Sequence, residues 1–233
     1  MNDIIVVIPA YEPDEALVAL IENLRSDFNK FIVVDDGSKT ADETFARVEK
    51  MPGVTLLRHE VNRGKGAALK TAFAKVLADF PDAAGVVTVD ADGQHLPEDV
   101  ANVAKATKEN PGRYTLGVRA FSGDVPLRSR FGNAWSRYFF FLLTGVMIYD
   151  TQTGLRGMPR DLLPELVAMP GDRYEYEMRM LVAAARKKLK PVQIQIKTVY
   201  LNDNKASHFN PIRDSIRTQV TLLHAAFTTP KAK

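Results

Sequence analysis

Two carboxylates one residue apart, Asp90 and Asp92, follow the apolar run Val86, Val87, Thr88, Val89 and lead at once into Gly93 and Gln94. In an extended strand residues i and i+2 share a face, so the two side chains converge at the strand's C-terminal end. Open α/β sheets hold their ligands at that end. Asp90, Asp92 and Gln94 are hard oxygen donors that suit Mg2+ or Mn2+ bridging a diphosphate. A solvated exit from strand to turn fits the same residues, because Asp and Gly are ordinary turn formers. The rest of the chain decides between the two.

Three other groups have types and spacing that suit anions. Gly64 and Gly66 flank Lys65 ahead of a helical pattern. Backbone amides at a helix start, with a lysine, suit phosphate. The Gly-x-x-x-x-Gly-Lys-Ser/Thr spacing is absent, and close packing at the glycines is an equal alternative. Arg119, Arg128 and Arg130 lie close in sequence. One arginine is an ordinary surface charge, but three in one region favour bidentate phosphate binding. Glu175 and Glu177 are two apart and cannot share a helix face, so at most one points inward.

The elements that must position these groups alternate. Apolar runs at 4–8, 31–34, 54–57 and 86–89 read as strands, with helical patterns at 14–28, 41–49 and 65–79 between them. Thr40 is placed to cap the second helix. Such alternation predicts an α/β fold, a mostly parallel, Rossmann-like sheet flanked by helices, in a single domain. Polar loops follow three strands, at Pro9, Ala10 and Tyr11, at 35–38 and at 90–94, and are expected to share one crevice. The second half is less regular, with strands near 113–118 and 191–201, helices near 131–146 and 174–188, and helical spacing near the end. Residues 1–210 are expected to form the domain and 211–233 an amphipathic helix and tail.

With 233 residues the chain suits one substantial core. A net charge of +3 is too small to argue for nucleic acid but suits anionic ligands and an anionic membrane surface. There is no cysteine, which excludes disulfides and thiolate chemistry. No signal peptide is expected, and the uncharged stretch at 138–149 is too short to span a bilayer.

Seven pieces in order, VVIPAYEPDEAL, VVDDGSKTADET, NRGKGAALKTAF, VTVDADGQHLPEDV, LGVRAF, PLRSRFGN and DTQTGLRGM, resemble the family-2 glycosyltransferases of the GT-A fold. Within them the chain looks most like the polyprenyl-phosphate (dolichol-phosphate type) sugar transferases, over roughly residues 4–210. One departure is PAYEPDE where the family commonly reads PAYNE; Glu12 and Asp14 are the substitutes at hand.

The resemblance implies that Pro9, Ala10, Tyr11, Glu12, Asp36 and Gly37 meet the base and ribose of a nucleotide-sugar donor. Lys65, Asp90, Ala91 and Asp92 would complete the donor site, with Asp90, Asp92 and Gln94 on the metal. It implies that Arg119, Arg128 and Arg130 hold the diphosphate and the acceptor phosphate, and that Asp150 and Arg156 shape the acceptor side, where a structural ion pair is the alternative. Glu177, rather than Glu175, would point inward. His95 is a neighbour of the metal turn rather than a ligand, and Lys205 and His208 approach the donor diphosphate or pack a loop.

The expected activity is inverting transfer of a hexose, from GDP-mannose or UDP-glucose, to a polyprenyl phosphate. An anionic acceptor needs cations around it rather than a strong base. The run at 131–146 is apolar nearly all round, which suits a helix in the membrane interface or one buried in a core or dimer. The implied location is cytoplasmic, peripheral on the inner membrane face; oligomeric state is not readable. Three rivals are a transferase of the same fold acting on a glycan or small-molecule hydroxyl, with Asp150 or Glu177 as base, a sugar nucleotidyltransferase, and a non-catalytic nucleotide-sugar-binding module.

Overall fold

The computed structural model describes residues 1–119 and 127–197, without the side chains of 127–133, and residues 220, 222–224 and 228. Its centre is a seven-stranded sheet. The strands are β1 (Ile4–Ala10), β2 (Phe31–Asp35), β3 (Val54–Arg58), β4 (Gly85–Thr88), β5 (Thr115–Arg119), β6 (Arg156–Pro159) and β7 (Val192–Ile196). Their order across the sheet is β3-β2-β1-β4-β6-β5-β7. Six strands run parallel, while β6 runs against both of its neighbours, β4 and β5.

Period-two burial builds the two core layers. Ile4, Val6 and Ile8 of β1, with Phe31 and Val33 of β2, face a layer that includes Leu17, Ile21 and Leu24 of α1 (Glu15–Leu24) and Phe45 of α2 (Asp42–Glu49). Ile5, Val7, Ile32 and Val34 face the other side, with Leu69, Phe73 and Val76 of α3 (Lys65–Asp79). α4 (Pro97–Glu109) adds Val100 and Val103 to the first layer; α6 (Leu163–Ala168) and α7 (Glu175–Arg186) add Leu166 and Tyr176 to the second. A third cluster joins Leu116 and Val118 of β5, Phe140 of α5 (Leu127–Thr144), Leu181 of α7 and Leu222.

Successive units step from β1 to β2 to β3 on one side, then cross to β4 on the other. The chain direction therefore switches between β1 and β4, and at such a switch point the loops leave a crevice at the strands' C-terminal ends. The loops after β1 and β4 are the ones that carry Tyr11 and Asp92.

Several elements differ from the sequence expectation. α4, β6 and α6 are additional to it. Thr40 does not cap α2: Ala41 holds that position without a side-chain bond, and the Thr40 N–H and hydroxyl both donate to Glu12. α5 begins at Leu127 rather than 131. Residues 220 and 222–224 are helical, but most of the expected 211–233 helix, together with Lys205 and His208, lies outside the described residues.

Candidate active site

An open cleft of about 790 Å³ lies at the switch point. Nine expected site residues line it: Pro9, Ala10, Tyr11, Glu12, Asp36, Lys65, Asp90, Ala91 and Asp92. Pro13, Asp14, Asn62, Gly64, Ala68, Arg173 and Tyr174 complete the wall. Of these the sequence singles out Gly64 and offers Asp14 as a substitute, but it passes over the others. A helix N-cap explains Asp14, whose Oδ1 accepts the Ala16 N–H at 2.9 Å. Arg173 and Tyr174 are brought in by the loop before α7, and no local pattern announces them.

Hydrogen bonds between loops fix the end of the cleft formed after β1 and β2. Glu12 adopts a positive φ of 48° and its Oε1 accepts the Lys39 N–H at 2.7 Å, while its own N–H donates to Ser38 Oγ at 2.8 Å. Asp36 is buried. Its Oδ1 accepts from His59 Nδ1 at 2.7 Å and from the Arg63 N–H at 3.0 Å, and its Oδ2 accepts the Gly64 N–H at 2.7 Å. His59 Nε2 in turn pairs with Thr71 Oγ1 of α3 at 3.0 Å. Gly37 lies behind the wall, in a turn packed on the backbone of Val61 and Asn62.

The glycines around Lys65 serve close packing. Gly64 has φ 105°, and a Cβ there would stand 2.5 Å from the Asp172 carbonyl oxygen. Two nearby amides have partners inside the protein: Gly64 N–H on Asp36, and Ala67 N–H on the Asp172 carbonyl at 2.9 Å. Lys65 itself reaches across the site. Its Nζ lies 2.7 Å from Asp90 Oδ1 and 3.1 Å from Glu177 Oε2. Glu177 Oε1 is 3.7 Å from Arg156 Nε, and the buried Arg156 guanidinium also donates to the carbonyls of Thr153, Glu177 and Thr151 at 2.8, 2.8 and 3.2 Å. Charges thus alternate through four side chains, Asp90, Lys65, Glu177 and Arg156. Burial works against the Lys65 ammonium, yet Asp90 and Glu177 hold its pKa above the usual range. Burial likewise opposes the Asp90 carboxylate, but Lys65, and after it His95, hold it well below the usual carboxylate range.

Asp92 differs from Asp90. It stays in contact with solvent at the mouth of the cleft, and its Oδ1 accepts the Gln94 N–H at 3.0 Å, the one hydrogen bond to this carboxylate among the described residues. Desolvation by the surrounding protein raises its pKa; the Gln94 bond lowers it and the Asp90 charge raises it further. Such a carboxylate gains from a cation placed against it. No three acidic, histidine or cysteine side chains converge among the described residues. Asp90 and Asp92 both line the cleft, whereas Gln94 is not among its lining residues. Two carboxylates would leave coordination positions for phosphate oxygens, as Mg2+ is commonly held on nucleotides. The chemistry of these two oxygen donors would suit a hard divalent ion. His95 Nε2 lies 3.9 Å from Asp90 Oδ2, beside the turn as expected.

Away from the cleft, the Asp150 carboxylate is buried and takes two bonds from Arg119, from Nε at 2.6 Å and from Nη2 at 3.2 Å. Glu175 caps its own loop, accepting the N–H groups of Asp172 and Arg173 at 3.1 Å each, and Glu177 is the inward member of the pair. The side chains of Arg128 and Arg130 lie outside the described residues.

Residues 5–159 match the family described as glycosyl transferase family 2. A UDP-N-acetylglucosamine–dolichyl-phosphate N-acetylglucosaminyltransferase of Methanococcus voltae is 31% identical over 229 residues, covering 89% of this chain and 90% of that one. An undecaprenyl-phosphate mannosyltransferase of Micrococcus luteus is 26% identical, covering 83% and 82%. Among solved structures, glucosyl-3-phosphoglycerate synthase from Mycobacterium tuberculosis, crystallised with Mn2+, UDP-glucose and phosphoglyceric acid, superposes with a TM-score of 0.66 at 20% identity, covering 97% of this chain and 80% of that one. That likeness is one of fold, the GT-A fold anticipated from sequence.

Proposed function

We propose, from the premise that this chain belongs to glycosyl transferase family 2, that it moves a hexose from a nucleotide diphosphate sugar to a polyprenyl phosphate. One observation carries the choice of acceptor. A hydroxyl acceptor needs a general base near the anomeric carbon, and both candidate bases are bound to cations: Asp150 by Arg119, and Glu177 by Lys65 and Arg156. A phosphate acceptor is already anionic and needs no proton removed. The relatives named for dolichyl and undecaprenyl phosphate support the same reading.

In this reading the loops after β1 and β2 receive the nucleoside. Asp92 and Gln94, with Asp90 behind them, would hold Mg2+ or Mn2+, which supplies a Lewis acid for the departing diphosphate. Lys65 keeps the Asp90 and Glu177 carboxylates together and so fixes the β4 loop to α7. Arg128 and Arg130, in sequence, would bring positive charge to the acceptor phosphate, while Arg119 is paired with Asp150. Direct displacement inverts the anomeric centre.

The test offers GDP-mannose, UDP-glucose and UDP-N-acetylglucosamine, with Mn2+, to undecaprenyl phosphate and separately to free sugars. Release of a nucleoside diphosphate only with the prenyl phosphate is the expected result. Turnover only with hydroxyl acceptors, or release of pyrophosphate, sinks the reading.

The acceptor's hydrocarbon places the reaction at a lipid surface, and α5 supports this. Phe140 and Ser136 face inward, while Trp135, Tyr138, Phe141 and Leu142 are exposed, Leu142 at 79%. Arg137 stacks on Tyr138 and on exposed Tyr149, with its guanidinium 4.9 and 5.7 Å from their ring centres. An aromatic face rimmed by arginine suits a membrane interface with anionic headgroups. No helix among the described residues is long and apolar enough to cross a bilayer. Flotation with vesicles containing anionic lipid is expected to carry the protein, and the double variant Trp135→Ser/Leu142→Ser is expected to cut the bound fraction several-fold. Equal flotation of variant and wild type removes α5 from the account.

A further inference from the structure

Five acidic residues line the cleft, Glu12, Asp14, Asp36, Asp90 and Asp92, against two basic ones, Lys65 and Arg173. Such a wall repels a diphosphate unless positive charge is placed within it. Lys65 is committed to Asp90 and Glu177. Arg173 is not committed: no carboxylate lies within 4.0 Å of its guanidinium among the described residues. The adjacent carboxylate, Asp172, is held by Lys70 at 2.6 Å.

The backbone of Arg173 is held firmly while its head stays exposed. The N–H groups of residues 172 and 173 donate to Glu175 Oε1 at 3.1 Å each. The Arg173 carbonyl accepts the Tyr176 N–H at 3.1 Å, and the Asp172 carbonyl accepts the Ala67 N–H at 2.9 Å. The arginine stem lies on Gly64, where a Cβ would stand 2.6 Å from Arg173 Cγ. The glycine before Lys65 therefore admits this side chain to the cleft wall. A guanidinium on a fixed backbone and a supported stem loses little freedom when it binds.

We propose that Arg173 binds a phosphate oxygen of the donor's nucleoside diphosphate. The inference rests on the nucleotide-sugar reading above and adds a residue outside the motifs that carry the family resemblance. An arginine elsewhere on the surface is an ordinary solvated charge. This one faces the same cleft as Asp92, and its planar fork matches phosphate oxygens.

The experiment is calorimetric titration, with Mn2+ present, of wild type, Arg173→Gln and Arg173→Lys with UDP, GDP, uridine, guanosine and the short-chain prenyl phosphate citronellyl phosphate. Arg173→Gln is expected to weaken the better nucleoside diphosphate about tenfold, the loss of one charge-assisted bond. Nucleoside binding stays as in wild type, and Arg173→Lys falls between. Thermal midpoints equal to wild type show that the fold is retained, as expected for an exposed side chain. Unchanged diphosphate affinity in Arg173→Gln overturns the inference, and so does an equal loss for diphosphate and nucleoside. A loss confined to citronellyl phosphate moves the guanidinium to the acceptor and overturns it too. Failure of wild type itself to bind either diphosphate refutes the underlying donor reading instead.

Discussion

Asp92→Asn is expected to lower turnover by at least about a hundredfold at saturating donor, since even groups that only support a metal's ligands are worth about 10- to 100-fold. The cause is specific to this carboxylate. Asp92 accepts only the Gln94 N–H among the described residues, and desolvation with the Asp90 charge makes it a poor lone anion. A divalent ion relieves both effects, and the neutral amide of the variant cannot stand in for a charged donor. The fold is expected to survive, because substitutions at such open positions commonly change stability by less than about 0.5 kcal/mol. Mn2+ binding, followed by water-proton relaxation, should weaken in parallel with activity, and chelation should silence the wild type. Full turnover of Asp92→Asn sinks the metal assignment.

Arg156→Met has the largest expected effect on stability. Arg156 is 2% exposed; its guanidinium gives hydrogens to the carbonyls of Thr151, Thr153 and Glu177 and sits 3.7 Å from the Glu177 carboxylate. Removing it strands the buried Thr151 and Thr153 carbonyls and part of a charge. Breaking a buried pair from one side costs about 3–5 kcal/mol. For a chain of this size that lowers the thermal midpoint by roughly 10 °C or more. Calorimetry checks the value. A midpoint within about 2 °C of wild type would show that the charge chain from Asp90 to Arg156 contributes little to the fold.

Much of the N-terminal half is legible in the residues. The runs of β1, β2 and β4 are buried on both faces, so they read as unbroken apolar strands. Their polar loops then fall at one sheet edge by topology alone. α3 begins at Lys65 as expected, because Gly64 marks the turn before it. α4 carries a helix signal, with Pro97 at its first turn and Val100, Val103 and Ala104 buried along one face. β6 is not readable: Arg156, Gly157, Met158 and Pro159 have no strand-like pattern, and pairing with β4 and β5 makes them a strand. At the site, motif residues that follow strands are found from sequence. Arg173 is missed because its place depends on packing against a glycine more than a hundred residues earlier.

The reversed strand has a consequence for how the molecule is made. As the chain leaves the ribosome, β1 to β4 are complete by residue 88, while the strand that covers the open flank of β4 is not made until 156–159. For nearly seventy residues of synthesis that flank is a bare β-edge, apolar on both faces, and bare edges template intermolecular pairing. Gly154, where any Cβ would strike the Asp90 carboxylate, lies just ahead of the covering strand. The late-arriving segment thus shields a sticky nascent intermediate and closes the acidic rim in the same motion, linking yield during expression to competence of the finished enzyme.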